Sequence, residues 1–541
     1  MLIKRPPTIL RSNISSIRSA SNIAQTKAAA QQAAGWKGTR TDGGETKHYI
    51  GGEWVEVGES GAEKWFDVKD PSTQQVLTRV PQPPRSLLTQ TVDKAQEAFE
   101  SWKLTSLLSR QGILLKYQAL IRKHHDDLAQ SIVLEQGKTF ADAKGDVLRG
   151  LQVVDSMCAL PQMLTGDKLE VSTDMDTYVR RSPLGVGAAI CPFNFPAMIP
   201  LWTLPIAIGT GNTLLIKPSE RDPGAAAMLV ELASMAGVPS GVVSLVHGGP
   251  ETVNFLCDDP RIKAISFVGS DVAGKHIWDR AGKNGKRVQA NLGAKNHAIL
   301  MPDANKEQAL NAIAGAAFGA AGQRCMALSV LITVGDSKEW VQELITRAKG
   351  LKVGNGFDEG IDLGPVISPA AKNKIEGLIA SCEEEGGKIL LDGRGHKVDG
   401  YPQGNWVGPT VLEAKEGMKC HETEIFGPVL TVLHAETLQE AIELVNRNMY
   451  GNGSSIFTNS GATARVFERT IQAGQIGINV PIPVPLPMFS WSGNKGSVLG
   501  GHSLYGKLGV EFWTQNQTVT SLWKQEDALN TRADVSMPTM R

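Results

Sequence analysis

From Val186 onward the chain alternates short, wholly apolar runs with helical stretches, and few folds accept that pattern. "VGAAICPF", "TLLIKP", "VVSLVHG" and "AISFVG" read as buried strands. Between them lie "PGAAAMLVELASMAG", whose Pro223 suits a first helical turn, and "PETVNFLCDD". Strands apolar on both faces and separated by helices form a parallel sheet covered on both sides. Such a sheet opens a ligand crevice at the carboxyl ends of its strands. A second α/β region is expected from about Pro302 to Val480, with strands "SVLITVGD", "PVLTVLHA" and "GSSIFT".

Ahead of the alternation, residues 48–82 contain short strand-like pieces such as "HYIGGEWVEV". Three helices are expected, over Thr91 to Trp102, about Leu107 to Glu135 and about Phe140 to Leu164. Toward the other end, "VPIPVPLPMF" is too rich in proline for a helix or a central strand. It should be an extended loop lying on the body. "GVEFWTQNQTVTSLW" alternates like an edge strand.

The first forty residues stand apart. They hold no Asp or Glu, yet carry Lys4, Arg5, Arg11, Arg18, Lys27, Lys37 and Arg40 among many Ser and Ala. That is the composition of an organellar transit peptide, or of a disordered basic tail. We therefore set residues 1–42 outside the fold. The whole chain has 55 basic and 55 acidic residues, which gives no argument for a nucleic acid or an anionic membrane as partner. No apolar run reaches the length of a transmembrane helix. The six cysteines, at 158, 191, 257, 325, 382 and 420, have neither CxxC nor zinc spacing. The chain thus reads as a reduced-compartment enzyme with isolated thiols.

Five stretches could carry chemistry, and each has a plainer reading. In "ISFVGSDVAGKHI", Gly269, Ser270 and Gly274 could set a helix N-terminus against a pyrophosphate, or form an ordinary strand-to-helix turn. In "LLIKPSERDPG", Glu220 could accept from a ribose diol and repel a 2′-phosphate, which favours NAD over NADP; Arg221 beside it weakens that preference. The plainer reading of Lys217 and Glu220 is a solvated charged turn. Asn194, held in "CPFNFPAMIP", suits an oxyanion donor or a turn. Cys325 in "GQRCMALS" follows a small-residue helix, with Arg324 beside it to favour the thiolate. A lone cysteine is otherwise structural. Last, "QANLGAKNH" carries an amide, Asn291, and no carboxylate.

Taken in this order, "PFNFP", "KPSE", "FVGS", "GQRC" and "EIFGPV" resemble the aldehyde dehydrogenase superfamily over about residues 48–525. The resemblance implies an α/β, aldehyde dehydrogenase-like fold. A Rossmann-like parallel-sheet NAD domain would span 43–301, interrupted near 170–182 by a small β oligomerisation element. A catalytic domain would span 302–490, and an oligomerisation strand and tail 491–541. It further implies that Cys325 is the nucleophile, and that Asn194 and the Cys325 N–H form an oxyanion hole. Lys217 and Glu220, with Arg221 beside them, would hold the adenosine ribose. Ser270 would touch the pyrophosphate and Glu424 the nicotinamide ribose. Cys191 and Phe193 would line the groove, and the main chain near Leu292 would meet the carboxamide. A homotetramer and a mitochondrial matrix location follow from the same resemblance.

Hydrolytic members carry a Glu where this chain has Asn291, and a neutral amide cannot act as general base near pH 7. A thiol acceptor needs no such base, since a free thiol ionises near pH ~8.5, far below water. "NLGAKNH", "AGQRCMALS", "KPSERDPGA" and "INVPIPVPLPMFS" are similar to the CoA-acylating branch. That branch takes malonate and methylmalonate semialdehydes and yields acetyl-CoA and propionyl-CoA, with coenzyme A as co-substrate. Its carboxylated substrate needs a cation, for which Arg324 and Arg149 are the candidates. Arg149 could instead form a surface pair with Asp146, and Arg324 could serve only the thiol. A hydrolytic dehydrogenase with its base elsewhere is the alternative.

Overall fold

The computed structural model describes residues 35–501 and 503–528, together with residue 29. Apart from residue 29, the expected transit segment falls outside these up to residue 34. Residues 35–42, expected to belong with it, instead pack on the body: the Trp36 ring meets His124 edge-on at 5.1 Å, and the Lys37 N–H donates to Glu231.

Two large sheets and two small ones form the frame. In the first large sheet the strands run in the order Val498–Leu499, Arg287–Asn291, Ile262–Val268, Val186–Ile190, Thr213–Lys217, Val243–Leu245, His48–Ile50, Glu53–Val55. The five from Arg287–Asn291 to Val243–Leu245 are parallel, as their apolar runs demand. Every residue of Thr213–Lys217 is buried, because helices cover both faces. The strand order reverses between Val186–Ile190 and Ile262–Val268. That reversal opens a crevice at their carboxyl ends, where Cys191, Phe193, Gly269 and Ser270 lie.

The second sheet runs Lys388–Leu391, Thr410–Glu413, Val429–Ala435, Leu328–Val334, Asn296–Leu300, Gly453–Phe457, Gln475–Ile478. Only its Lys388–Leu391 edge is antiparallel. This sheet already contains Asn296–Leu300, so the chain crosses between the two sheets at residues 292–295, ahead of the boundary expected at 302. An apolar strand looks the same in either sheet, and the sequence could not show which one takes it.

Other expectations shift for local reasons. The first helix begins at Arg85, directly after the extended Pro84, rather than at Thr91. The long second helix is two, Leu107–Lys123 and His125–Gln136, broken where His124 leaves helical angles. The His124 Nδ1–H donates to Asp127 Oδ2 at 2.8 Å, while Asp126 and Asp127 fill the new first turn. The third stops at Met157, and a short turn, Leu160–Met163, follows. "GVEFWTQNQTVTSLW" is also divided: Gly506–Phe512 is helical and only Thr514–Leu522 is a strand. Phe512 and Trp513 are fully buried, and a Cβ on Gly187 would lie 2.2 Å from the Trp513 ring. Burial of these two aromatics outweighs the alternation. Strand Thr514–Leu522 pairs with Met175–Pro183, which pairs with Lys168–Ser172, so the segment expected near 170–182 and the strand expected within 491–541 form one sheet. Residues 480–489 form an extended loop whose Pro485 carbonyl accepts from the Tyr505 hydroxyl at 2.8 Å.

Candidate active site

Cys325 sits at the end of a tight descent. Helix Lys306–Phe318 stops, and Ala320 and Ala321 then adopt left-handed angles, with φ of 51° and 53°. Gly322 follows at φ 68°, where a Cβ would come within 1.9 Å of the Gly427 carbonyl. The glycine lets "GQRC" lie against the main chain of "EIFGPV". The Cys325 carbonyl is then clamped by two amides, Asn296 Nδ2 at 2.9 Å and Asn452 Nδ2 at 3.1 Å.

A cavity of about 370 Å³ brings together Asn194, Ser270, Leu292, Cys325 and Glu424. It also includes Phe193 and Arg221. Phe193 meets Phe426 edge-on at 5.8 Å, forming an aromatic wall. Cys191, Lys217 and Glu220 are set beside this cavity rather than in its lining. The buried Cys191 donates its N–H to the Lys217 carbonyl at 3.0 Å. Lys217 Nζ reaches Glu220 at 3.2 Å and the Pro218 carbonyl at 2.8 Å.

The groove's fit to a dinucleotide rests on three observations. Ser270 begins helix Asp271–Lys283 without capping it through its side chain, which leaves the N-terminal amides for an anion. The first-turn carboxylate that would repel one, Asp271, is held to the Gly293 N–H at 2.6 Å and to the Tyr450 hydroxyl. The Leu292 N–H is bonded to the Ser497 carbonyl, so its own carbonyl is the group that can answer a carboxamide.

Electrostatics inside the groove are dominated by burial. The Cys325 thiol is pushed up to about 12 by desolvation and then by Glu424; Arg324 opposes this only weakly. Arg324 thus acts in the expected direction, toward the thiolate, but burial outweighs it. Arg324 is engaged elsewhere, in an ion pair with Asp142 on helix Phe140–Met157. Burial also raises Glu424 to about 7, against the Ala294 N–H that its Oε1 accepts at 2.9 Å.

Arg149 is exposed, and its Nη1 meets Gln152 at 3.3 Å. The surface pair with Asp146 does not form, because Asp146 is buried against Lys138. The Arg149 charge is felt by the Tyr505 hydroxyl, but Arg149 does not line the cavity that holds Cys325. Asn291 closes strand Arg287–Asn291, and its Oδ1 accepts from Trp491 Nε1 at 3.2 Å. It lines a separate cavity of about 150 Å³ with Gln289, Trp491 and Ser503. Sequence reasoning gave no role to Asp142 and Trp491, which carry no local signal, or to Phe426 and Gln323, which lie inside "EIFGPV" and "GQRC".

Comparison with known proteins bears directly on this geometry. Residues 54–519 match the pattern described as the aldehyde dehydrogenase family. The chain belongs to the aldehyde dehydrogenase family. A Homo sapiens member named methylmalonate-semialdehyde/malonate-semialdehyde dehydrogenase, acylating and mitochondrial, is 53% identical over 496 residues, 91% of this chain and 92% of that relative. A crystal structure of methylmalonate-semialdehyde dehydrogenase from Oceanimonas doudoroffii shares 40% identity at a TM-score of 0.87, covering 90% of this chain and 99% of that one. A Sinorhizobium meliloti 1021 family member solved in complex with NAD shares 39% identity at a TM-score of 0.86, covering 89% and 98%. In this family setting, Cys325 and Asn194 face one groove at the switch point of the parallel sheet.

Proposed function

We propose that this aldehyde dehydrogenase carries out NAD-dependent, CoA-acylating oxidative decarboxylation of malonate and methylmalonate semialdehydes, giving acetyl-CoA and propionyl-CoA. One observation carries the reading: where hydrolytic members hold a carboxylate, this chain has Asn291, buried, uncharged and bonded to Trp491. The acylating relatives of more than half identity support it.

In the proposed sequence, Cys325 gives its proton to solvent and adds to the aldehyde carbon. The new oxyanion is met by Asn194 Nδ2 and the Cys325 N–H. Ser270, Glu220, Lys217, Arg221, Leu292 and Glu424 would hold NAD, with Cys191 and Phe193 flanking it, and the cofactor would supply a hydride acceptor. Loss of the hydride leaves an acyl group on Cys325 as a thioester. Arg149 and Arg324 hold the substrate carboxylate, Arg324 using N–H groups that Asp142 leaves over. The carboxylate departs as a one-carbon unit, and its bonding electrons pass to the carbon beside the thioester carbonyl, which is then protonated. A coenzyme A thiolate finally displaces Cys325.

The hydrolytic alternative would need Glu424 as base, the one carboxylate lining the groove with Cys325 among the described residues. Its engagement with the Ala294 N–H suits a fixed cofactor ligand better. We also propose a mitochondrial location, which the relatives' names support, within the matrix, and a homotetramer assembled through the three-stranded sheet.

The test mixes the pure protein with NAD⁺ and malonate semialdehyde, with and without coenzyme A. We expect about one NADH per active site without coenzyme A, and steady turnover to acetyl-CoA with it. Rapid turnover to a free acid without coenzyme A overturns the reading. Asn291→Glu should gain acid formation.

A further inference from the structure

Lys138 is one of the most deeply buried charged residues in the protein, with its side chain 1% exposed. It lies just beyond Gly137, whose left-handed φ of 90° ends helix His125–Gln136. Its Nζ donates to the Asn194 main-chain carbonyl at 2.6 Å and to Asp146 Oδ2 at 3.0 Å. The same ammonium stands 4.3 Å from the centre of the Phe195 ring. Asp146, also buried, uses its other oxygen to accept the Met198 N–H at 2.7 Å. Met198 opens helix Met198–Gly209. One ion pair, carried on two other elements, therefore grips residues 194, 195 and 198 from outside.

Asn194 is fixed at its far end as well. Its Nδ2 donates one N–H to the Gln323 carbonyl at 3.1 Å, which leaves the second for another acceptor. Gln323 is held in turn, since its Oε1 accepts the Ile367 N–H at 3.0 Å. The amide's rotation is thus set by the segment that carries Cys325, and its position by Lys138. Burying two charges is expensive, and a buried ion pair is poor as a source of stability compared with apolar packing. A positional duty accounts for its place here.

We infer that Lys138 and Asp146 are positioning residues that hold Asn194 at the reacting oxygen. This deepens the proposed function and rests on it. An oxyanion donor displaced by a fraction of an ångström loses most of its value, because its advantage is prior alignment. Removing the pair should slow the step in which the oxyanion develops. It should leave cofactor binding and the exposure of the thiol alone, since neither uses Asn194's alignment.

The experiment compares wild type with Lys138→Met and with the double variant Lys138→Met/Asp146→Asn, which buries no unpaired charge. The NADH burst rate with malonate semialdehyde should fall roughly 10- to 100-fold in both, while NAD⁺ affinity and the rate of Cys325 alkylation by iodoacetamide stay within about two-fold. A crystal structure of the double variant should show residues 194–198 displaced. A burst within about three-fold of wild type overturns the inference. So do parallel losses in burst, affinity and alkylation, or failure of both variants to fold, any of which makes the pair a stability element only. If wild type itself gives no burst, the proposed function is what fails; an unmoved Asn194 in the double variant would still overturn the positioning role.

Discussion

At the scale of single residues, the groups proposed for the chemistry stand in legible motifs, and their partners were not legible. Cys325 and Asn194 stand in short motifs whose meaning depends on neighbours in sequence. Arg324 finds Asp142 182 positions away, and Asn291 finds Trp491 at 200. No spacing rule reaches that far, so sequence alone leaves both arginine readings open. Arg149 gives the sharper test. It is exposed, bonded to Gln152 at 3.3 Å, and its charge is felt by the Tyr505 hydroxyl. Arg149→Met should cut kcat/KM for malonate semialdehyde roughly 10- to 100-fold, the value of one charge-assisted pair, and leave an uncharged aldehyde such as propanal almost unaffected. Steady-state kinetics with the two substrates decides it, and equal losses with both would remove Arg149 from substrate binding.

At the scale of elements, buried strands announced themselves, because continuous apolar runs have few other uses. Helix limits did not: His124 breaks a helix that periodicity would continue, and Pro84 starts one earlier than the apolar pattern does. Helix His125–Gln136 also carries a latent pH dependence. Its Glu135 is buried, accepts the Gly224 N–H at 2.8 Å, and is raised by desolvation from 4.5 to about 8. Below the lower value the carboxyl is neutral in both states. Between the two, only the unfolded chain ionises, so folding loses stability as pH rises, until the loss is complete above about 8. Glu135→Gln removes that slope. Its melting temperature relative to wild type should climb by several degrees between about pH 5 and pH 9. Asp222, buried nearby and raised as well, leaves part of the slope in place. A constant difference across pH would show that Glu135 is ionised in the folded protein.

At the scale of the whole molecule, the three-stranded sheet is the part that looks outward. Leu169 on one edge strand is 66% exposed, and Trp523, just past the other, 79%. If this sheet joins subunits, Leu169→Asp with Trp523→Ser should reduce the assembly to smaller species in sedimentation velocity while each subunit keeps its fold. A persistent tetramer would exclude the sheet as the interface. Alternation pointed to the strand Thr514–Leu522 and only the resemblance to the segment near 170–182; their mutual pairing across more than three hundred residues was not legible.

The crossing at residues 292–295 has a consequence for how this chain can vary. Gly293 gives its N–H to Asp271, on the first sheet's side, and Ala294 gives its N–H to Glu424, on the second's. Two adjacent amides thus tie down opposite walls of the groove. An inserted or deleted residue here would release one wall or the other, whereas a loop such as 393–405 could absorb the same change. Length heterogeneity among descendants of this chain should therefore accumulate away from the crossing, and alignments should run through it without gaps.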